Sequence, residues 1–226
     1  MQSQLDHEGF AVIHGVLERG RTEQLARDID AQLPDVPSAG FRGLARLVPS
    51  VAMLTRSSKI RALVESVLGK DARPVRSIYF NKSQETNWQV AWHQDLAIAV
   101  RSRVEVDGFV GWSSKDGVPH VQPPAHVLDR MLTVRLHLDP ADESNGALWV
   151  VPESHRLGRL PASDAAATAE RMGKHLCVVN VGDALLFKPL LLHASRKATS
   201  PQPRRVIHLE FAGIELPAPL QWSEVA

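Results

Sequence analysis

Histidines followed two residues later by a carboxylate occur three times in the 226-residue sequence. Side chains two positions apart on a strand project to the same face, so each pair offers an imidazole and a carboxylate to one ligand. Such pairs also arise by chance, and a single strand histidine is more often structural than a metal ligand. The pairs are His93/Asp95, His137/Asp139 and His208/Glu210.

A third ligand and an anion-binding residue lie later in the chain, in "LLFKPLLLHASRKATSPQPRRVIHLEF". This stretch contains His193, Ser195 and, eleven residues after the histidine, Arg204. Non-haem Fe(II) oxygenases hold iron with two histidines and one carboxylate and leave positions open for an oxo-acid and dioxygen. A guanidinium suits the distal carboxylate of 2-oxoglutarate because it donates two parallel hydrogen bonds, and Ser195 can donate to the same group.

The elements that must position these residues are helices followed by many short strands. "GFAVIHGVL" predicts a strand, and "RGRTEQLARDIDAQL" and "SSKIRALVESVLG" predict helices, the second ending at Gly69. From about residue 75, short β-branched and aromatic runs are separated by Pro, Gly, Asn and Asp. We therefore predict a mainly β fold, an antiparallel barrel or sandwich over about 75–212 supported by helices over about 1–74. The runs are "VRSIYFNK", "MLTVRLHLD", "GALWVVP", "HLCVVNV", "DALLFK" and "RRVIHLEFAG".

The segment of about 99–130 shows weak periodicity and predicts a long loop. Loops of this length in a compact domain are usually lids, binding loops or disordered segments. The segment contains Trp112, His120, Gln122 and His126. If it folds over the metal, Trp112 and His120 are candidates for contact with substrate.

Composition limits the class of partner. The formal net charge is +1, which gives no electrostatic case for nucleic acid or an acidic membrane surface, so a small molecule is the expected partner. Cys177 is the single cysteine, which excludes an intrachain disulfide and favours a reducing compartment. The start of the sequence has no signal-peptide pattern, and we expect a cytoplasmic protein. The sequence carries no signal for oligomeric state.

Three blocks, "WHQD", "ESNGALWVVPESHRLG" and "HAS" with an arginine eleven residues past the histidine, resemble the phytanoyl-CoA dioxygenase family of Fe(II)/2-oxoglutarate oxygenases. The resemblance covers about 75–212 and implies one double-stranded β-helix (jelly-roll) domain over 1–226. It implies Fe(II) bound by His93, Asp95 and His193, with 2-oxoglutarate held by Arg204 and Ser195 and with O2 as oxidant. The family's proline-glycine-serine-histidine segment has a glutamate, Glu153, in place of the glycine, and this position is not among the implied metal ligands. Because Asp95 is present, halogenating relatives without this carboxylate are disfavoured.

The resemblance also assigns residues around the metal. Rough alignment places Thr133 near 2-oxoglutarate and Arg135 near substrate, on the polar face of "MLTVRLHLD", which faces either solvent or a buried pocket. Lys82, where related enzymes often carry a lysine, is a candidate substrate contact; the alternative is a solvent-facing charge. The likeness leaves His137/Asp139 as the second choice of metal pair and makes His208/Glu210 structural.

Three functions are consistent with these residues. The favoured one is a 2-oxoglutarate-dependent hydroxylase of a small molecule that releases succinate and CO2. The alternatives are a metal-binding barrel such as a zinc hydrolase or isomerase, which would not need Arg204, and a sensor that binds a 2-oxo acid. Arg135, Lys82 and the histidines of 99–130 suggest a substrate that carries a carboxylate.

Overall fold

Helices in the N-terminal part of the chain pack on one side of a large antiparallel sheet. The structure, a computed structural model, describes residues 1–34, 38 and 40–224. Short 3-10 turns at Ser154–Leu157 and Ala162–Asp164 precede the last helix. The α-helices are α1 (Gln2–Glu8), α2 (Arg19–Gln32), α3 (Leu44–Leu47), α4 (Pro49–Thr55), α5 (Ser58–Leu68), α6 (Ala125–Leu128) and α7 (Ala165–Met172).

The two helices predicted from periodicity are confirmed as α2 and α5. Helix α5 begins after Ser57 and ends at Gly69, whose φ of 89° is a backbone conformation that glycine adopts without steric cost. Apolar residues of both helices, including Ile29 and Val64, are buried in one cluster with residues of the large sheet. None of the helices in the described ranges is both long enough and apolar enough to cross a bilayer.

The strands form a large sheet, a smaller sheet facing it and a short third sheet. Within the described residues, the large sheet has the order β1-β11-β8-β13-β3-β2, the smaller one β10-β9-β12-β4 and the third β5-β7-β6. The predicted mainly β fold with N-terminal helices is confirmed, although β1 and β2 from the helical part also join the large sheet. The strands are β1 (Phe10–Ile13), β2 (Gly40–Arg42), β3 (Arg73–Lys82), β4 (Val90–His93), β5 (Ile98–Ala99), β6 (Val110–Lys115), β7 (Val118–Gln122), β8 (Met131–His137), β9 (Leu148–Val150), β10 (His175–Leu176), β11 (Ala184–Phe187), β12 (His193–Ser195) and β13 (Arg204–Ala212).

Strand β8 has an apolar face and a polar face. Its apolar residues Leu132, Val134 and Leu136 are fully buried in the cluster that contains the helices. The alternating polar residues therefore point to the opposite face, between the two sheets. All seven residues of β8 are buried, so the polar face of this strand is turned inward and not toward solvent.

The prediction of a long irregular loop over about 99–130 is wrong. This segment holds the hairpin of β6 and β7, which pairs with β5, and the short helix α6. The C-terminal segment lies against it, since Val100 pairs with Trp222 and the Ser223 amide donates to the Ala99 carbonyl. The segment is thus a small sheet held by the end of the chain.

The Asn145-Gly146 turn lies close to Arg196 and Lys82, and we expect Gly146→Ala to lower the free energy of unfolding. Gly146 has φ of 78°, and an added Cβ would lie 2.6 Å from the Arg196 carbonyl oxygen and 2.8 Å from Lys82 Nζ. The left-handed conformation alone costs roughly 1–2 kcal/mol, and the overpacking adds about 1–3 kcal/mol. Gly117, with φ of 77° and nothing within 4 Å, is the matched control. Urea unfolding should show a larger loss for Gly146→Ala than for Gly117→Ala; equal losses would contradict the predicted clash.

Candidate metal centre

Two neighbouring strands of the smaller sheet bring the predicted metal ligands together. Strand β4 ends at His93, which lies directly opposite His193 of β12, and the two imidazole centroids are 4.2 Å apart. Asp95 follows β4, and its carboxylate oxygens lie 3.8 Å from His93 Nε2 and 3.6 Å from His193 Nε2. One donor atom from each residue lies within 4.8 Å of the others, close enough to share an ion.

Backbone carbonyls accept hydrogen bonds from both imidazoles and so orient the two rings. His93 Nδ1 donates to the Ala91 carbonyl and His193 Nδ1 to the Leu191 carbonyl, each at 2.9 Å. A proton on Nδ1 leaves the lone pair of Nε2 free, which is the tautomer that binds a metal through Nε2. Burial, together with His93, lowers the pKa of His193 to about 3, so this ring is neutral at neutral pH.

Asp95 supplies a charged ligand. Burial alone would raise the pKa of Asp95, but His193 and then His93 lower it more strongly, and its pKa is about 2. The Asp95 amide donates to the Pro189 carbonyl at 2.9 Å, which fixes the backbone just after β4. Two imidazole nitrogens and one carboxylate form the donor set that Fe(II) oxygenases use, so the residues present fit this metal.

Gln94, between two of the ligands, fixes the chain from the other side. Its side-chain nitrogen donates to the Gly158 and Leu190 carbonyls, each at 2.7 Å, and its oxygen accepts from the Leu160 amide at 2.8 Å. Sequence reasoning missed this role. The available signal was position, because a residue between two inward-facing ligands points to the opposite side.

A cavity of about 190 Å³ adjoins the three ligands between the sheets. Its wall combines aromatic and aliphatic side chains with two arginines. The lining residues are Phe80, Trp88, Val90, His93, Asp95, Arg135, Leu148, His193, Ser195, Arg204 and His208.

Arg204 is a buried cation at one end of this cavity. It begins β13, is 2% exposed, and among the described residues its Nε and Nη1 have no hydrogen-bond acceptor. Burial, followed by the charge of Arg135, lowers the pKa of Arg204 to about 9, so it remains protonated at neutral pH. Buried donors are normally satisfied, so an unpaired guanidinium in a cavity that Ser195 also lines indicates a site for an anion.

Lys82 lies directly opposite Arg204, on β3, and is 1% exposed. The alternative interpretation of a solvent-facing charge is therefore wrong. Its Nζ donates to the Arg196 carbonyl at 2.6 Å and lies 5.1 Å from the Trp88 ring centroid. Burial, followed by Arg204 and Arg135, lowers the pKa of Lys82 to about 7. Lys82 is outside the cavity lining, at the Arg204 end.

Arg135 and His208 face each other across β8 and β13 and both line the cavity. Arg135 Nη1 lies 3.4 Å from His208 Nδ1, and His208 Nε2 lies 3.2 Å from Glu210, which accepts a hydrogen bond from Arg76 at 3.0 Å. His208 and Glu210, predicted to be a structural pair, lie within hydrogen-bond distance of each other. Sequence reasoning missed that His208 is also part of the cavity wall.

The remaining predicted contacts lie outside the cavity wall. Thr133 is fully buried opposite Glu210, and its hydroxyl has no partner among the described residues. Trp112 packs against the apolar cluster beneath the third sheet. His120 is 1% exposed, with Nδ1 2.9 Å from the Val118 carbonyl. Contact of these three residues with co-substrate or substrate stays a prediction.

In His137/Asp139, the second choice of metal pair, the carboxylate forms an ion pair with Arg205. Asp139 accepts hydrogen bonds from Arg205 Nε at 2.8 Å and Nη2 at 2.9 Å, while neither ring nitrogen of His137 has a partner within the described ranges. The carboxylate of this pair is therefore committed to Arg205 and unavailable to a metal.

The buried His137 should make stability fall at acid pH. Burial lowers its pKa well below 6.5, so below that pH the unfolded chain binds a proton that the folded protein excludes. Stability is then lost as pH falls, by up to about 1.4 kcal/mol per pH unit for one group. We expect His137→Met to reduce the difference in unfolding free energy between pH 7 and pH 5, measured by urea titration. An unchanged difference would contradict the predicted contribution of His137. Part of the difference should remain in His137→Met, because the pKa values of the buried His193 and His208 are also lowered.

Comparison with known proteins identifies relatives with this fold. The sequence profile of the phytanoyl-CoA dioxygenase (PhyH) family matches residues 5–206. Ectoine dioxygenase from Nocardia farcinica is 26% identical over 252 aligned positions, covering 94% of this chain and 77% of that protein. EctD from S. alaskensis with bound Fe has a TM-score of 0.74 at 20% identity, covering 96% of this chain and 78% of its own. HygX from Streptomyces hygroscopicus with nickel and 2-oxoglutarate bound has a TM-score of 0.68 at 18% identity, covering 98% and 89%. The structural likeness confirms the predicted fold class.

Proposed function

Since the chain belongs to the phytanoyl-CoA dioxygenase family, we propose that it is an Fe(II)- and 2-oxoglutarate-dependent dioxygenase that hydroxylates a small molecule. The observation that carries the proposal is the unpaired Arg204 guanidinium in the same cavity as the three candidate ligands. Relatives named as ectoine dioxygenases, and solved neighbours with bound Fe or with 2-oxoglutarate, support it.

The iron ligands in this proposal are His93, Asp95 and His193. Bound iron would supply the coupled chemistry in which 2-oxoglutarate and O2 yield succinate and CO2 and one oxygen atom enters a C–H bond of the substrate. The chain's own contribution is to hold the two imidazoles by their Nδ1 hydrogen bonds and to keep Asp95 ionised. Fixed ligands of this kind need no rearrangement when the metal binds.

Arg204 and Ser195 would hold the distal carboxylate of 2-oxoglutarate. The guanidinium offers a rigid pair of donors, and burial strengthens each charged hydrogen bond. Lys82, predicted as a substrate contact, lies at this end of the cavity and adds positive potential to the co-substrate site. Apolar wall residues such as Phe80 and Leu148 would exclude water from the co-substrate.

The alternative functions make less use of the cavity. A zinc hydrolase or isomerase could use the same ligands but has no need for a buried guanidinium without a counter-charge. A sensor of 2-oxo acids would need Arg204 but would not turn over. Arg204 thus favours the two functions that bind an oxo-acid.

Succinate formation separates the enzyme from both alternatives. Purified protein is mixed anaerobically with Fe(II) and 2-oxoglutarate, its weak visible charge-transfer band is recorded, and oxygen is then admitted. We expect the band to form and succinate to accumulate slowly even without the primary substrate. A band without succinate would favour the sensor. Neither band nor succinate, with tight retention of zinc, would favour the hydrolase or isomerase.

A further inference from the structure

Arg135 is a second buried cation in the cavity. It is 6% exposed, forms no ion pair with a carboxylate in the part of the chain that the structure describes, and its Nε has no acceptor there. Its guanidinium carbon lies 5.3 Å from the Phe80 ring centroid, so the planar group packs near an aromatic face. A charge in this position is costly unless something compensates it.

A chain of hydrogen-bonding groups holds Arg135 in place without neutralising it. Burial lowers the pKa of His208, so the neutral ring can accept from Arg135 through Nδ1 and donate to Glu210 through Nε2. The negative charge of Glu210 is already paired with Arg76 at 3.0 Å. Arg135 is therefore oriented by a neutral neighbour and keeps its charge for another partner.

The backbone position of Arg135 lies away from that of Arg204. Arg135 lies opposite His208, four residues along β13 from Arg204, which corresponds to about 13 Å between backbone positions at roughly 3.3 Å per residue. The Phe187 ring contacts both His193 and His208, with centroid distances of 5.0 Å and 6.3 Å. Arg135 is therefore paired with His208, which the Phe187 ring connects to the candidate ligand His193.

Charge balance leaves Arg135 without a counter-ion in the loaded site. A divalent metal and Asp95 together carry one positive charge, which one carboxylate of 2-oxoglutarate balances. Arg204 balances the other carboxylate. Arg135 is then still uncompensated, and any protonated fraction of Lys82 adds to the excess of positive charge. One further anionic group is needed to neutralise the cavity.

We propose that Arg135 anchors a carboxylate of the primary substrate, next to the C–H bond that is oxidised. This proposal rests on the proposed function and adds a substrate class and a specificity-determining residue to it. A carboxylate is favoured because a guanidinium packed on an aromatic face presents its edge, where a planar carboxylate accepts two parallel hydrogen bonds. His208 is the positioning residue of this subsite.

The test measures binding and does not require turnover. The protein is loaded with Ni(II) and saturating 2-oxoglutarate, and its melting temperature is followed while acetate, or the neutral isostere acetamide, is added. We expect acetate but not acetamide to raise the melting temperature. Arg135→Met should keep the shift caused by 2-oxoglutarate and raise the midpoint of the acetate titration at least tenfold. Arg19→Met, at an exposed arginine of α2, should respond as the wild type does.

Several outcomes would overturn the proposal. Equal acetate shifts in the wild type and Arg135→Met, including no shift in either, would remove the carboxylate subsite. Loss of the 2-oxoglutarate shift in Arg135→Met would move Arg135 to the co-substrate site. Marked destabilisation of Arg135→Met without metal or co-substrate would mean that the protein itself already compensates the charge of Arg135. The acetate titration would then be repeated with Arg135→Gln and judged by the same outcomes. Failure of the proposed function is distinct, because the wild type would then show no response to Ni(II) and 2-oxoglutarate.

Discussion

Replacing Asp95 by alanine should lower the affinity for Fe(II) by more than about 100-fold and abolish succinate release. The substitution removes the anionic member of the donor set and leaves only the two imidazoles. Removing a residue that only hydrogen-bonds to a metal ligand typically lowers the metal affinity about 10- to 100-fold. Removing a charged ligand itself should therefore lower it further. The visible band of the anaerobic Fe(II)/2-oxoglutarate complex and a metal competition titration measure the effect directly.

His137→Met is the matched control for Asp95→Ala. It alters a histidine of the competing pair, whose carboxylate is bound to Arg205. The control should retain the band and the metal affinity of the wild type. Loss of the band in His137→Met, with retention in Asp95→Ala, would transfer the metal to the other pair. Thermal unfolding without metal should show that both variants are folded.

The clustering of the candidate metal ligands was predictable from strand alternation and from the resemblance. Alternation on a strand places His93 and Asp95 together, and the resemblance adds His193 and Arg204 at fixed spacing. The same alternation places His208 and Glu210 on the face of β13 that carries Arg204, so their inward orientation was also available from the sequence. The partners of these residues were not, because they depend on the register between β13, β8 and β3.

The hairpin within 99–130 was missed for a physical reason. Strand β6 is exposed at almost every position, so it has no buried face to produce an apolar alternation. Its partner β7 buries His120 and Val121, which are adjacent residues and break the pattern expected for a strand with one buried face. Where pairing to a neighbour defines a strand more than burial does, periodicity gives little signal.

Arg204→Lys should raise the 2-oxoglutarate concentration needed for half-maximal succinate formation about 10- to 150-fold. A lysine keeps the charge but replaces two parallel donors with a single ammonium, and a hydrogen bond to a charged group contributes about 1.5–3 kcal/mol. The site already holds Lys82 opposite Arg204, so a second ammonium would restore charge without restoring the geometry. The titration of succinate formation against 2-oxoglutarate, together with the affinity of the anaerobic complex, measures the loss.

Arg205→Lys is the control one residue further along β13. Arg205 lies on the opposite face of the strand, where a two-fold hydrogen bond to Asp139 raises its pKa. Its substitution should reduce the free energy of unfolding and leave the 2-oxoglutarate requirement unchanged, because neither Arg205 nor Asp139 lines the cavity. An increased 2-oxoglutarate requirement in Arg205→Lys, with no increase in Arg204→Lys, would contradict the proposed site. It would place the co-substrate on the opposite face of β13. The two adjacent arginines therefore separate co-substrate binding from stability with the same chemical change.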